Sequence, residues 1–225
     1  MAKSDQRKQK KRERQNAKRK ERRQQLVRQK NRSLAERLAV AAQGPVVECL
    51  VVEDFEDRRF GYGFLSRSLP TGEVAWVMFF LDAFCLGVRA ANGTVGPRDL
   101  YEEATARMRE RFRFKPVVPE VLKGYLEAVI AYAHDLGFEP PASYQRVAPI
   151  LRGIEPDEEA RQLECGEMGK PIYFFGSKDH AFFGSKDHAR HIQVLKTLEE
   201  RLGPDGFFSA NLDGEFEAWD DEDSE

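Results

Sequence analysis

Cysteine is scarce. The chain of 225 residues holds three, Cys49, Cys85 and Cys165, odd in number and far apart. No CxxC pair occurs, so the spacing offers no disulfide framework, and a reducing compartment is the expected setting. Long hydrophobic runs are missing as well. The longest stretch, Ala75 to Leu81 and past Asp82 to Val88, is too short and too interrupted to span a bilayer. The basic N-terminus is not followed by an apolar h-region, which excludes reading it as a secretory signal. A cytoplasmic protein without a membrane partner is predicted.

From Lys3 to Arg32 there is no glycine, no proline and no aromatic residue. What fills that stretch is Lys, Arg, Gln, Glu and Asn, mostly good helix formers. Residues 1–40 carry 16 Lys+Arg against 4 Asp+Glu, which leaves 20 against 34 for residues 41–225 out of totals of 36 and 38. The formal net charge of −2 is therefore the average of a strongly basic arm and an acidic body. The arm is assigned to residues 1–44, the body to 45–212, and an acidic tail to 213–225. That tail is expected to be disordered, because DGEFEAWDDEDSE holds eight carboxylates. A length of 225 residues suits one sizeable core with a small second lobe.

Helix propensity and charge pull the arm in opposite directions. Like-charged pairs at i,i+4 include these five: Lys8–Arg12, Lys10–Arg14, Arg14–Lys18, Lys18–Arg22 and Arg19–Arg23. At about 0.2–0.5 kcal/mol each they cost roughly 1–2.5 kcal/mol in all, and no Glu-to-Lys pair offsets them. The isolated helix should fray, and a polyanion should help it form. Val27, Leu34, Leu38 and Ala41, at spacings of 7, 4 and 3, give its far end an apolar stripe that can dock, and Gly44-Pro45 ends the helix.

Phosphate meets the charge requirement. Lys10, Lys11, Arg12 and Arg14 form one cluster, and Lys18, Arg19, Lys20, Arg22 and Arg23 a second, with Arg28 and Lys30 beyond. Such clusters bind nucleic-acid backbone with release of counterions, and arginine-rich segments order on RNA. Without an aromatic residue the arm has no base-stacking platform, so its contacts should be sequence-nonspecific. RNA, or a ribosome, is the first expected partner. An acidic protein surface is the alternative, including the body and tail of the same chain. An enzyme of unknown reaction within the body is a third reading.

The body reads as α+β: an antiparallel β-meander packed with helices, preceded by the long basic helix. VVECLVVE (46–53) and FGYGFLSRS (60–68) are predicted strands, and Leu69-Pro70-Thr71-Gly72 is a tight link. EVAWVMFFLDAFCLGV is apolar on both faces and predicts one central strand. Gly96-Pro97 opens a helix with Leu100, Ala104, Met108 and Phe112 at i+4 spacing, and a second helix spans Pro119 to Leu136. Tyr144 to Leu151 is a shorter helix. A C-terminal β-β-α section at 160–210 is expected: strands at Leu163–Cys165 and Lys170–Phe174, then a helix from Asp187 to Leu202.

Catalytic and metal signatures are thin. The octapeptide FFGSKDHA stands twice in succession, at 174–181 and 182–189, an identical tandem duplication. It places His180 and His188 near His191, but no third ligand follows at metal spacing, so no metal and no cofactor are predicted. Gly176-Ser177-Lys178 lacks the order of a phosphate loop. Asp82 and Cys85 lie inside the most apolar run, and His134-Asp135 is a possible base pair elsewhere. The expected roles are plainer: Cys85 packs as a small hydrophobe and Asp82 ties a turn to backbone amides. No catalytic residue is assigned.

VMFFLDAFCLGV, GYLEAVIAYAHDLGF with Pro140 and Tyr144, GKPIYFFGSKD and TLEERLGPDGF together resemble an uncharacterised family of bacterial cytosolic proteins. The resemblance covers about residues 46–208 and leaves out the basic arm. Gly169-Lys170-Pro171, Tyr173, Gly176 and Asp179 match the later motif, which makes the second octapeptide the insertion. Arg89-Ala90 stands where that family has Lys-Asp, and Ser143 where it has Asp before Tyr. The resemblance implies a single body and brings no known activity.

Overall fold

Four strands follow one another as antiparallel neighbours, and each link between them has a local cause. In the computed structural model, which describes residues 33–175 and 188–211, these are β1 (Val46–Val52), β2 (Phe60–Ser68), β3 (Val74–Asp82) and β4 (Gly87–Gly96). A one-turn helix α2 (Phe55–Arg58) joins β1 to β2, and a turn in which Gly72 donates to the Leu69 carbonyl joins β2 to β3. A fifth strand, β5 (Phe114–Pro116), adds antiparallel to the free edge of β1, giving the order β4-β3-β2-β1-β5. The antiparallel meander is as the sequence suggests; it has four strands, and β5 makes a fifth in the sheet.

The run from Val74 to Val88 is a hairpin rather than one central strand. Its continuous apolar character hides the reversal, because a strand buried on both faces has no alternation to interrupt. Asp82 and Gly87 are the only marks of the turn. Asp82 Oδ1 accepts from the amides of Phe84 (2.9 Å) and Cys85 (3.0 Å), and Gly87 takes φ +69°. The role expected of Asp82 is the one it has.

Helix α1 (Leu34–Ala41) precedes the sheet, and α3 (Arg98–Arg111) and α4 (Pro119–Asp135) follow it. Pro119 opens α4 at its first turn, where a missing N–H costs nothing. Leu122, Tyr125, Leu126, Val129 and Ala133 form its buried stripe. Gly137, at φ +93°, closes it: its N–H donates to the His134 carbonyl and that of Phe138 to Ala133, the paired bonds of a Schellman end. The stripe lies on Val51, Leu65, Val77, Phe79 and Leu81 of the sheet in one main core. Close approach is possible because β2 has glycine at position 63, where a Cβ would come within 2.4 Å of Leu122 Cδ1.

Helix α3 covers part of the opposite face, through Tyr101, Thr105 and Met108. The expected stripe of Leu100, Ala104, Met108 and Phe112 is half right, since Leu100 is 47% exposed. Strict i+4 spacing drifts by about 40° per step around a helix with 3.6 residues per turn, so four such positions do not share a face. The expected short helix at 144–151 is α5 (Ala142–Val147) running into a 3-10 turn, Ala148–Leu151. α5 guards the open edge of the sheet, where Ser143 Oγ accepts from the Ala91 amide.

The C-terminal section is β-α-β, not β-β-α. Leu163–Cys165 forms no strand; β6 (Ile172–Phe175) pairs in parallel with β7 (Phe208–Asn211), and α6 (His188–Leu202) stands between them in sequence. A parallel pair requires a crossover, which α6 belongs to. Val194 and Leu198 of α6 pack with Tyr173, Leu136, Cys85 and Leu86 in a second core at the β3–β4 turn.

Candidate functional site

The cations expected to bind nucleic acid, from Lys10 to Lys30, lie outside the described residues, as do the acidic tail and the duplicated octapeptide beyond Phe175. What the structure does show is the root to which the basic segment is attached. Ser33 is the N-cap of α1, extended at ψ 158°, and it forms a complete capping box. Its Oγ accepts from the Glu36 amide, and its own amide donates to Glu36 Oε2 at 2.8 Å. The docking stripe is present from Leu34 onward: Leu38 and Ala41 are fully buried in the main core and Leu34 packs against it. Val27 lies outside the described residues.

Two arginines fix this root. Arg67 is a buried cation in β2, only 7% exposed. Its Nη1 donates to the carbonyls of Ala42 (2.7 Å) and Gly44 (3.1 Å), acceptors that the end of α1 leaves unpaired. Arg37 pairs with Glu73 at 3.0 Å and donates to the Val95 carbonyl. Gly44 allows the exit: a Cβ there would meet the Ser68 carbonyl oxygen at 1.9 Å. The basic segment is thus tied through α1 to three elements of the sheet. A charged residue at a buried strand position was the signal for Arg67, and sequence reasoning did not use it.

The other group of chemical interest is the β3–β4 turn. Asp82 is fully buried, with Oδ2 3.8 Å from Arg89 Nη1. Arg89, itself 7% exposed, lies 5.7 Å from the Phe60 ring centroid and 6.0 Å from that of Phe80, and donates to the Phe174 carbonyl at 3.3 Å. Burial pushes the Asp82 carboxyl above its ordinary value, against the Arg89 guanidinium and the amides of Leu86, Cys85 and Phe84. On the opposite side Arg59 pairs with Glu167, donates to the Gly166 carbonyl and stands 5.1 Å from the Phe84 ring centroid. These contacts lock the turn to the segment before β6.

A nucleophile needs an ionised thiol, and Cys85 is placed against ionisation. It is fully buried, and desolvation, with the Asp82 charge beside it, raises its pKa far above the ordinary thiol value. Cys49 is pushed up to about 12, first by burial and then by Glu120, and Cys165 to about 11 by burial and Asp82. His134 is exposed, 3.5 Å from Glu139. Of the expected histidine patch, His191 packs against Tyr173 and Phe175, at 5.6 and 4.4 Å between ring centroids. His180 and the side chain of His188 lie outside the described residues. No cluster of three or more metal-ligating side chains occurs among the described residues. No described helix is long and apolar enough to cross a membrane.

Thiol burial has a measurable consequence. Iodoacetamide at pH 8 should label half-exposed Cys165 slowly and leave Cys49 and Cys85 unlabelled until urea unfolds the chain. Mass spectrometry of the digested protein reads the three sites separately. Fast labelling of Cys85 in the folded state would contradict its burial.

Comparison with protein-family models, with curated proteins and with solved structures finds no match to this chain.

Proposed function

We propose that the protein is a cytoplasmic nucleic-acid-associated protein that grips RNA phosphates through residues 1–32, with the α+β body as the anchor of that segment. One observation carries the reading: 15 Lys+Arg against 3 Asp+Glu in residues 1–32, joined to a helix whose apolar side is fully seated in the core. A fixed root supports this because it ties the basic segment covalently to a folded body at one point. The resemblance carried by residues 46–208 is compatible with this reading and adds no activity of its own.

Phosphate contacts make affinity fall steeply with salt. For six or more contacts the loss is roughly 10³-fold or greater between about 50 and 200 mM salt. Fluorescence anisotropy with a labelled single-stranded RNA should show that dependence for the full chain. Deleting residues 1–32 should abolish binding while the truncated chain keeps its cooperative unfolding transition, because α1 begins with its own capping box. Binding that persists in the truncated chain, insensitive to salt, rejects the proposal. Association of the separate basic peptide with the truncated chain, in the absence of nucleic acid, would favour the acidic-protein alternative.

A further inference from the structure

One face of the sheet is only half covered. Side chains along β3 alternate, so Ala75, Val77, Phe79 and Leu81 face α4 while Trp76, Met78 and Phe80 face the other way. On that second face α3 crosses the sheet, so that Tyr101 and Met108 pack with Leu50, Phe64 and Val74, and the Tyr101 ring meets that of Trp76 edge-on at 5.6 Å. Over the β3–β4 half, Trp76, Met78 and Ala90 are half-buried, and Asn92 and Thr94, opposite Met78 and Trp76, are exposed.

The wall of this shelf is a flank of α3. Helical spacing puts Leu100, Ala104, Arg107 and Arg111 on one side. Leu100 marks that side as the one facing β4, since a Cβ at Gly96 would lie 3.0 Å from its Cδ2. The flank therefore gives an apolar shelf an arginine rim. Arg107 pairs with Glu103, while Arg111 is exposed and makes no ion pair among the described residues.

The described residues end at the head of the same shelf. β7 ends at Asn211, opposite Phe175 of β6. One residue back, the Phe174 carbonyl accepts from Arg89, whose guanidinium lies over the Phe80 ring. Residues 212–225 follow, with eight carboxylates and two aromatic side chains, Phe216 and Trp219. Four strand residues separate Phe80 from Trp76, about 13 Å at roughly 3.3 Å each. Eight extended residues, 212–219, more than cover that length.

We propose that the acidic C-terminal segment of this chain seats on the shelf between α3 and β4, with Phe216 and Trp219 over Trp76 and Met78 and its carboxylates along Arg107 and Arg111. Aromatic side chains alternate with acids in the segment, as apolar floor and basic rim do on the shelf. Tethering favours this occupant, since a short covalent connection that can span the distance holds a segment at an effective concentration on the order of millimolar. Seated there, the tail keeps its negative charge on the shelf and away from the N-terminal cations.

Incorporation of 5-fluorotryptophan into the full chain gives two fluorine resonances, and Trp219→Phe assigns them. The Trp219 resonance is expected away from its position in a synthetic peptide of residues 212–225. In the Arg107→Glu/Arg111→Glu chain, whose two substitutions are exposed, it should return to the peptide position, and Phe216→Ala should move it part of the way. The same peptide should bind a chain lacking residues 212–225 and lose at least tenfold in affinity when both arginines are reversed. A Trp219 resonance at the peptide position in the native chain overturns the proposal, as does one that charge reversal leaves in place. Oligouridylate bound to a chain lacking residues 1–32 through Arg107 and Arg111, with Trp219 still at the peptide position, would assign the shelf to nucleic acid instead.

Discussion

At a pH where the buried carboxyl is ionised, replacing Asp82 with alanine should destabilise the protein by about 3–5 kcal/mol, because it leaves Arg89 buried without its counter-charge. The loss is compound. The amides of Phe84 and Cys85 lose their acceptor in the same step, and the β3–β4 turn loses its only side-chain tie to those amides. Asp82→Asn should cost less, since its amide oxygen can still accept from both N–H groups. In Asp82→Ala/Arg89→Met the two costs should fall well short of additive, because the second substitution removes the stranded cation. Urea midpoints of these chains, with the Arg89→Met single variant to close the cycle, measure this directly. An Asp82→Ala chain within 1 kcal/mol of wild type, on the order of an exposed substitution, would mean that the turn does not depend on the pair.

The pH dependence of that pair has a definite sign. Burial holds the Asp82 carboxyl above its ordinary value, so the folded state binds this proton more tightly than the unfolded chain. Its contribution is therefore full in acid, below the ordinary carboxylate range, and is lost as the pH rises through the folded-state value. Asp82→Asn has no proton to lose and should lack that decline. The difference between the two chains across the acid limb isolates the effect.

Leu38→Ala should cost about 2–5 kcal/mol, the range for a large-to-small change at a fully buried position. Ser33→Ala, at the N-cap of the same helix, should cost about 1 kcal/mol. The contrast matters for function. A large effect at Leu38 means that α1 belongs to the core and that the basic segment is held at its root. If both substitutions were nearly neutral, α1 would be a detachable part of the arm and the body would not position the cations. Thermal unfolding with and without single-stranded RNA separates the two: Leu38→Ala should lower the transition in both conditions, whereas removing residues 1–32 should cancel only the shift that RNA produces.

How far the sequence revealed this architecture depended on which physical signal each element carries. α4 was legible almost residue for residue, since Pro119, a wide apolar stripe and Gly137 give its start, face and stop. α3 was legible as a helix, but its buried face was not, because Tyr101 and Thr105 are amphipathic residues whose burial depends on what lies opposite. Thr105 satisfies its hydroxyl on the Tyr101 carbonyl, and Tyr101 reaches Ser66 and Glu48. The β3–β4 turn was masked by uniform apolarity. β7 was missed because four residues, Phe208–Asn211, become a strand only by pairing with β6, 36 positions earlier in the register Ile172–Phe208.

The sequence alone determined the α+β character of the body, the separation of a basic segment from an acidic one, and the scarcity of thiol chemistry. Composition, periodicity and punctuation are local properties, and they suffice for those three. Tertiary structure alone decided where the arm ends and the core begins. Leu38 and Ala41 form a stripe in the sequence that can dock, but what they dock on is fixed only when the carbonyls at the end of α1 find Arg67 on a strand more than twenty residues later. The same holds for Asp82 and Arg89, and for the half-open face beside α3. Each is a matter of which distant group completes a buried charge, a helix end or a layer, and no local pattern encodes it.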